Sequence, residues 1–371
     1  MSFPLPHALR ALTPNVHVWL PDGHATWGMA NCAVVTGRSA ESGAALLVDT
    51  PYTADMTRHL QRLVAALGDG PTAGPEVRTV VNTHGNGDHS YGNGLFPGAE
   101  IIATKANGEH LCAEPAPAEL AGLVAGSDPD TALGAYVKRH FGRYGDFGGL
   151  TTVHPNRTFS GELDLDVDGV AVRLIEVGPA HTAGDLIVHL PEEGVVCGGD
   201  VVFNEDHPVH WAGPLESVHR ACERILACDP EVIVPGHGPL MTPADLRRHA
   251  DYLLELRDAV HRGHEAGRPL PVLAAELIAE DPRPSWGLPE RMAILAAVEY
   301  RALDGATDRA DLLALVGFAA GFAQHGDTDA EGDTDASGDA DGGKAEHGGD
   351  GSAGGPADSS GSNGGSGIAA R

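Results

Sequence analysis

An α/β fold is predicted, and three features of the sequence predict it. Short apolar runs that read as strands alternate with segments of helical periodicity. The clearest helix, roughly Thr53 to Leu67, sets Met56, Leu60, Leu63, Val64 and Leu67 at helical spacing and stops at Gly68-Asp69-Gly70-Pro71. Histidine and aspartate also recur beside glycine where apolar runs end, which is where α/β proteins place ligands and catalytic groups.

The elements follow in order. Val16 to Leu20 and Cys32 to Thr36 read as strands, joined by Pro21 to Met29, a connection carrying His24 and Trp27. Ala45 to Asp49 is a third strand, and the helix from Thr53 leads to a strand over Val77 to Val81. Ser90 to Gly94 should begin a short helix, and Ala99 to Thr104 is another strand. Asn107 to about Tyr144 is helix-prone, with a break near Ser127-Asp128-Pro129. This insertion (residues 105 to 150) is expected either to wall a substrate pocket or to serve packing alone.

Thr158 to Asp166 and Val170 to Val177 read as a hairpin turning at Asp168-Gly169, residues that tolerate positive φ. Leu186 to Leu190 and Val195 to Gly199 form a second hairpin through Pro191 to Gly194. Leu215 to Cys228 is an amphipathic helix, and Val232 to Val234 a strand. Thr242-Pro243-Ala244-Asp245 supplies a cap, a proline and an acid for a helix reaching about Ala266. Two further helices are expected from Leu270 to Leu303 and one over residues 308 to 320. They either complete the domain, taken as residues 15 to 323 after an N-terminal segment of residues 1 to 14, or form a homodimer contact.

Composition limits the functions. The 371 residues include 24 basic and 52 acidic ones, a formal charge of -28. Nucleic acid is a poor partner for such a chain, because phosphate contacts need clustered Lys and Arg, and an anionic membrane is disfavoured for the same reason. No apolar run reaches the ~18 residues of a membrane span. Met1 to Pro14 lacks the basic start and long apolar core of a secretory signal. Cys32, Cys112, Cys197, Cys222 and Cys228 are odd in number and contain no Cys-x-x-Cys pair, so a reducing cytoplasm is expected. Cys197 reads as a small core residue rather than a redox centre. From residue 324 the chain has ten acidic and two basic residues and is rich in Gly, Asp and Ser. A calcium loop there fails, since the twelfth position is Gly338 or Lys344 in the two frames. A disordered acidic tail is expected over residues 324 to 371.

The chemistry centres on Thr83-His84-Gly85-Asn86-Gly87-Asp88-His89. His84, Asp88 and His89 crowd three donors into six residues, with glycines that let the backbone turn tightly. Imidazole nitrogen and carboxylate oxygen suit zinc. His181 in Gly178-Pro179-Ala180-His181, Asp200 after Val195 to Gly199, and His237 in Pro235-Gly236-His237-Gly238 add three more strand-end donors. No Gly-x-Ser-x-Gly and no cysteine beside a donor cluster competes with a metal site. Phe203 to Trp211 leaves the same end of the sheet and carries His207, His210 and Trp211. With His24, Trp27 and Tyr91 these are candidate pocket residues.

The order of these donors resembles the metallo-β-lactamase superfamily of metal-dependent hydrolases, whose first motif is His-x-His-x-Asp-His. The resemblance covers roughly residues 15 to 245. It implies an αβ/βα four-layer sandwich, here with the helical insertion and a C-terminal helical extension. It implies that His84, residue 86 and His181 hold one metal, and that Asp88, His89 and His237 hold a second, with Asp200 bridging. Position 86 is Asn instead of His. An amide oxygen is a weaker, harder ligand than imidazole, so one tightly held ion is expected, with a weak or empty first site. The alternatives are a dinuclear site in which Asn86 binds or water substitutes, and a structural metal alone. Zinc is the expected ion, with iron or manganese as alternatives.

The resemblance further implies a metal-activated water attacking an ester, thioester or lactam-like bond of a small molecule, with Asp88 and Asp200 as the catalytic carboxylates. An iron-dependent oxidoreductase and a non-catalytic binding protein are the competing classes.

Overall fold

The strand-like runs assemble into two sheets in the computed structural model, which describes residues 5–38, 43–68, 74–111, 114–145 and 147–323. Cys112, most of the Gly68 to Pro71 helix stop and the tail from residue 324 lie outside the described residues. The first sheet runs in chain order through β1 (Arg10–Ala11), β2 (Val16–Trp19), β3 (Cys32–Thr36), β4 (Ala44–Val48), β5 (Glu76–Val81), β6 (Glu100–Thr104) and β7 (Arg157–Phe159). The second comprises β8 (Glu162–Val167), β9 (Val170–Glu176), β10 (Leu186–Leu190), β11 (Val195–Phe203) and β12 (Val232–His237), in the order β12-β11-β10-β9-β8. Strands β4 to β7 pair in parallel, as do β11 and β12, so their C-terminal ends share one rim of each sheet.

The sheets pack face to face. Val16, Val18, Leu46, Val81 and Ile102 of the first meet Val172, Leu174, Val188 and Val195 of the second. Each such side chain contributes about 1.5–3 kcal/mol when fully buried. Helix α1 (Ala54–Ala65) covers the outer face of the first sheet with Leu60 and Val64. Its N-cap Thr53 accepts from the Met56 N–H, a cap worth about 1 kcal/mol. The single turn α2 (Gly87–Ser90) follows β5, and α3 (Lys105–Leu111), α4 (Pro117–Gly126) and α5 (Ala132–His140) make up the insertion.

On the other side α6 (Leu215–Leu226) and α7 (Pro243–Glu265) cover the second sheet with Val218, Ile225, Leu246 and Leu253. The expected start of α7 is a full capping box between Thr242 and Asp245. The helices α8 (Leu270–Ala279), α9 (Arg291–Leu303) and α10 (Leu312–Ala320) complete the described chain. This is the expected four-layer αβ/βα sandwich with a helical insertion and C-terminal helices. Among the described residues no helix is long and apolar enough to cross a membrane.

Two elements differ from the sequence reading. The run Thr158 to Asp166 is two strands, because Gly161 takes φ +78° and turns the chain from β7 in one sheet to β8 in the other. Strand β11 continues through Asp200 to Phe203 instead of ending at Gly199. Its pairing with β12 is irregular between Cys197 and Phe203, with Gly199 at φ +51°. A bulge of this kind re-aims the following side chain, here Asp200.

Candidate metal centre

Six donors converge at the shared rim. His84 follows β5, His181 follows β9, Asp200 sits at the bulge of β11 and His237 ends β12. Asp88 and His89 lie on α2, a helical turn instead of the loop read from sequence. His84, His181 and Asp200 form one group whose ligand atoms lie within 4.8 Å of one another, and Asp88, His89 and His237 form another. Asp200 joins them, with Oδ2 3.5 Å from His181 Nε2 and 3.4 Å from His237 Nε2, and Oδ1 3.1 Å from His89 Nε2. Asp88 Oδ2 is 3.4 Å from His237 Nε2.

Surrounding groups fix which imidazole nitrogen faces the centre. His89 Nδ1–H donates to Asp49 Oδ2 at 2.8 Å. The same carboxylate accepts from the backbone N–H and hydroxyl of Thr83, both at 2.7 Å. Having given its proton to Asp49, the Thr83 oxygen accepts from His84 Nδ1–H at 3.1 Å. His181 Nδ1–H donates to the Val209 carbonyl at 2.6 Å, since a carbonyl can only accept. In the neutral rings the Nε2 lone pairs of all three therefore face inwards, the tautomer a metal requires.

The packing of these acceptors is what a cation would relieve. His89 Nε2 and His237 Nε2 stand 3.3 Å apart, and buried Asp200 Oδ1 has no hydrogen-bond partner. Burial by itself would raise the Asp200 pKa, but four surrounding imidazoles hold it well below the usual carboxylate range. Burial opposes charge on His89 and His237, yet the carboxylates outweigh it and raise both, His237 to about 9. His181 goes the other way, to about 4, because burial outweighs Asp200 there. The donor set thus fits divalent metal.

Asn86 faces the first group. Its Oδ1 is 2.7 Å from His181 Nε2, and its Nδ2 donates to Glu114 Oε2 at 3.1 Å. Glu114 Oε1 also accepts from the Gly87 N–H at 3.3 Å. The carboxylate, an obligate acceptor when ionised, fixes the polarity of the amide.

The centre opens into a cavity of about 230 Å³. Its apolar wall comes from the insertion (Leu120, Leu123, Val137, Phe141) and from α10 (Leu312, Leu313, Val316). The insertion is therefore part of the pocket wall, and so is the C-terminal extension. Of the pocket residues read from sequence, Trp27, Tyr91 and Trp211 line the cavity.

The other three do not line this cavity. His24 is about half exposed, lies 3.2 Å from the buried Asp206 carboxylate and borders separate cavities. His207 is buried between the Tyr252 hydroxyl and Asp281, which occupy both ring nitrogens. His210 packs behind His181 and Phe203, with ring centroids 5.9 and 6.1 Å away, and does not border the cavity. Cys197 is the expected core residue, its thiol pushed up to about 12 by burial and Asp49.

Sequence reasoning missed Asp49, Glu114 and Arg291. Asp49 carried a signal, being a lone carboxylate at the end of an apolar strand; the other two carried none. Gly236 also has a site role, because a Cβ there would stand 1.8 Å from Asp200 Oδ1 and 2.8 Å from the Gly199 carbonyl carbon.

A family model described as the metallo-beta-lactamase superfamily matches residues 25–237. Among solved structures, the sec-alkylsulfatase Pisa1 from Pseudomonas sp. is 16% identical with a TM-score of 0.57, over 82% of this chain and 52% of that one. This chain thus spans about half the length of that sulfatase. A metallo-beta-lactamase family protein from Thermus thermophilus is 22% identical with a TM-score of 0.54, over 82% of this chain and 98% of that one. At these identities the likeness is one of fold.

Proposed function

The chain belongs to the metallo-beta-lactamase superfamily, and on that premise we propose that it is a metal-dependent hydrolase of an ester, thioester or lactam-like bond in a small, largely apolar molecule. The observation that carries the reading is the position of the six-donor cluster at the floor of an apolar cavity. When bound, a divalent ion supplies Lewis acidity and lowers the pKa of water from ~15.7 towards ~7. Zinc is the proposed ion.

The chain's own groups do the rest. Asp200 supplies the negative charge shared by both donor groups. Asp88 borders the cavity and is 14% exposed against 5% for Asp200, so its carboxylate is the group placed to take a proton from the attacking water. The apolar wall excludes bulk water and holds the hydrocarbon part of the substrate.

For Asn86 the geometry supports the dinuclear alternative over an empty first site. The His181 Nε2 lone pair and the Asn86 Oδ1 lone pairs lie 2.7 Å apart with no proton between them in the neutral ring. A shared cation accounts for that approach. Asn86 then serves as an oxygen donor beside His84, His181 and Asp200.

The test is metal content together with turnover. Purified protein should carry zinc, with two ions per chain at saturation, and hydrolyse chromogenic esters. Asp88→Ala should lower that turnover by about 10²–10⁴-fold. Tightly bound iron without hydrolysis, or ester turnover unaffected by Asp88→Ala, would count against the hydrolase.

A further inference from the structure

Arg291 is a buried cation without an anion. Its side chain is 1% exposed, yet among the described residues it forms no ion pair. Nη1 donates to the His207 carbonyl at 3.1 Å and Nη2 to the Thr26 carbonyl at 3.3 Å. Nε–H is buried and has no acceptor. The guanidinium carbon lies 4.3 Å from the centre of the Trp27 ring and 5.5 Å from that of Phe203. Two carbonyls and two ring faces offset only part of the cost of burying a full charge, which proteins ordinarily pair.

The location gives this charge a use. Arg291, Trp27 and Phe203 border the same cavity as Asp88 and His237. The Phe203 ring lies parallel to His237, 5.3 Å centre to centre, so the guanidinium is one aromatic ring away from the metal donors. The nearest acid on its own helix start, Glu290, accepts from the Tyr136 hydroxyl at 2.7 Å. Burial, with Arg139, Arg291 and Arg143, pushes the nearby His140 imidazolium down to about 3.

We propose that Arg291, braced by Trp27, forms a carboxylate-binding subsite, and that the natural substrate carries an organic acid group a short apolar spacer away from the bond that is cleaved. One guanidinium matches one negative charge, and each Nη keeps a second hydrogen beyond its carbonyl bond. The apolar walls around it favour a carboxylate on a hydrocarbon over free phosphate or sulfate. This inference rests on the hydrolase reading and narrows its substrate.

The test uses the metal-loaded full chain and p-nitrophenyl hemiesters of succinic, adipic and suberic acids, each beside the uncharged acyl ester of equal length. For the best spacer, wild type should favour the charged ester by about tenfold or more in kcat/KM, chiefly through KM. In Arg291→Met the charged-to-neutral ratio should fall to about one, with partial recovery in Arg291→Lys. The ratio cancels any loss of folded protein. No preference in wild type at any length, or a preference that survives Arg291→Met, overturns the proposal. So does a lower melting temperature in both variants with an unchanged ratio, which would make Arg291 a clamp between loops.

If neither ester is turned over, the hydrolase reading fails by itself. Calorimetric binding of monomethyl adipate and dimethyl adipate then decides the subsite. Preferential binding of the acid, lost in Arg291→Met, upholds it, and equal binding overturns it.

Discussion

If two metal ions bind as proposed, replacing Glu114 with alanine should weaken one of them and leave the other alone. Glu114 fixes the Asn86 amide through a charge-assisted bond of 3.1 Å, which leaves Oδ1 facing His181 Nε2. Such a bond contributes about 1.5–3 kcal/mol. In Glu114→Ala the amide is free to rotate, and Nδ2–H then points at the His181 lone pair in an ordinary hydrogen bond worth about 0.5–1.5 kcal/mol. The rotated amide presents hydrogen where the ion needs oxygen.

The expected loss of affinity is therefore about 10–100-fold for the ion held by His84 and His181, the usual cost of removing a group that orients a ligand. That corresponds to about 1.4–2.8 kcal/mol. The ion held by His89 and His237 should keep its affinity. The assay is competition against chelators of graded strength, with metal per chain counted by elemental analysis. Glu114→Gln, which offers a neutral acceptor, should fall between wild type and Glu114→Ala. In an Asn86→Ala background Glu114→Ala should have no further effect, because the two residues act as one unit. Unchanged affinity in Glu114→Ala, or an equal loss in the Asn86→Ala background, would refute the reasoning.

Other outcomes follow from the same geometry. Gly236→Ala should lower the affinity for both ions by about tenfold or more, since its Cβ meets Asp200 Oδ1 and displaces the carboxylate both share; full occupancy against a chelator would contradict this. His249 is buried with neither ring nitrogen partnered, and burial, aided by Arg283 and His207, pushes its imidazolium down to about 3. The unfolded chain binds that proton near pH 6.5 and the folded chain does not, so the stability it permits is full above pH ~6.5 and is lost as pH falls towards ~3, by about 1.4 kcal/mol per pH unit. His249→Leu should recover about 2 kcal/mol of that loss at pH 5, read as a smaller shift of the urea midpoint between pH 7 and pH 5; identical shifts in both proteins would disprove it. Chelating the metal should lower the melting temperature of wild type, because bound ions stabilise the folded state by about 2.7 kcal/mol at a hundred times Kd. A melting temperature indifferent to chelator would place the ions outside the folded centre.

Much of the centre was legible in the chain because its donors are local signals. His84, Asp88 and His89 are close in sequence, and His181, Asp200 and His237 each stand within three residues of a glycine after an apolar run. Strand ends of parallel pairs share a rim, so order along the chain maps onto proximity in space. The pocket was far less legible. His24 and His207 looked as eligible as Trp27, and only packing separates them, since one lies beside Asp206 away from the cavity and Tyr252 with Asp281 sequesters the other. The division of Thr158 to Asp166 between two sheets turned on Gly161, whose positive φ has no counterpart in the alternation of apolar residues.

Sequence by itself determined the layered fold, the six candidate donors and the family to which the chain belongs, because strand periodicity and the spacing of His and Asp are properties of neighbouring residues. Tertiary structure alone decided which way the Asn86 amide points, which ring nitrogens face the centre, and that Arg291 lies beside it. Glu114 is 28 positions from Asn86 along the chain, and the Arg291 bond to Thr26 spans 265 positions. The polarity of an amide and the pairing of a charge are set by whatever the folded chain brings alongside, and no local pattern encodes contacts made across such distances.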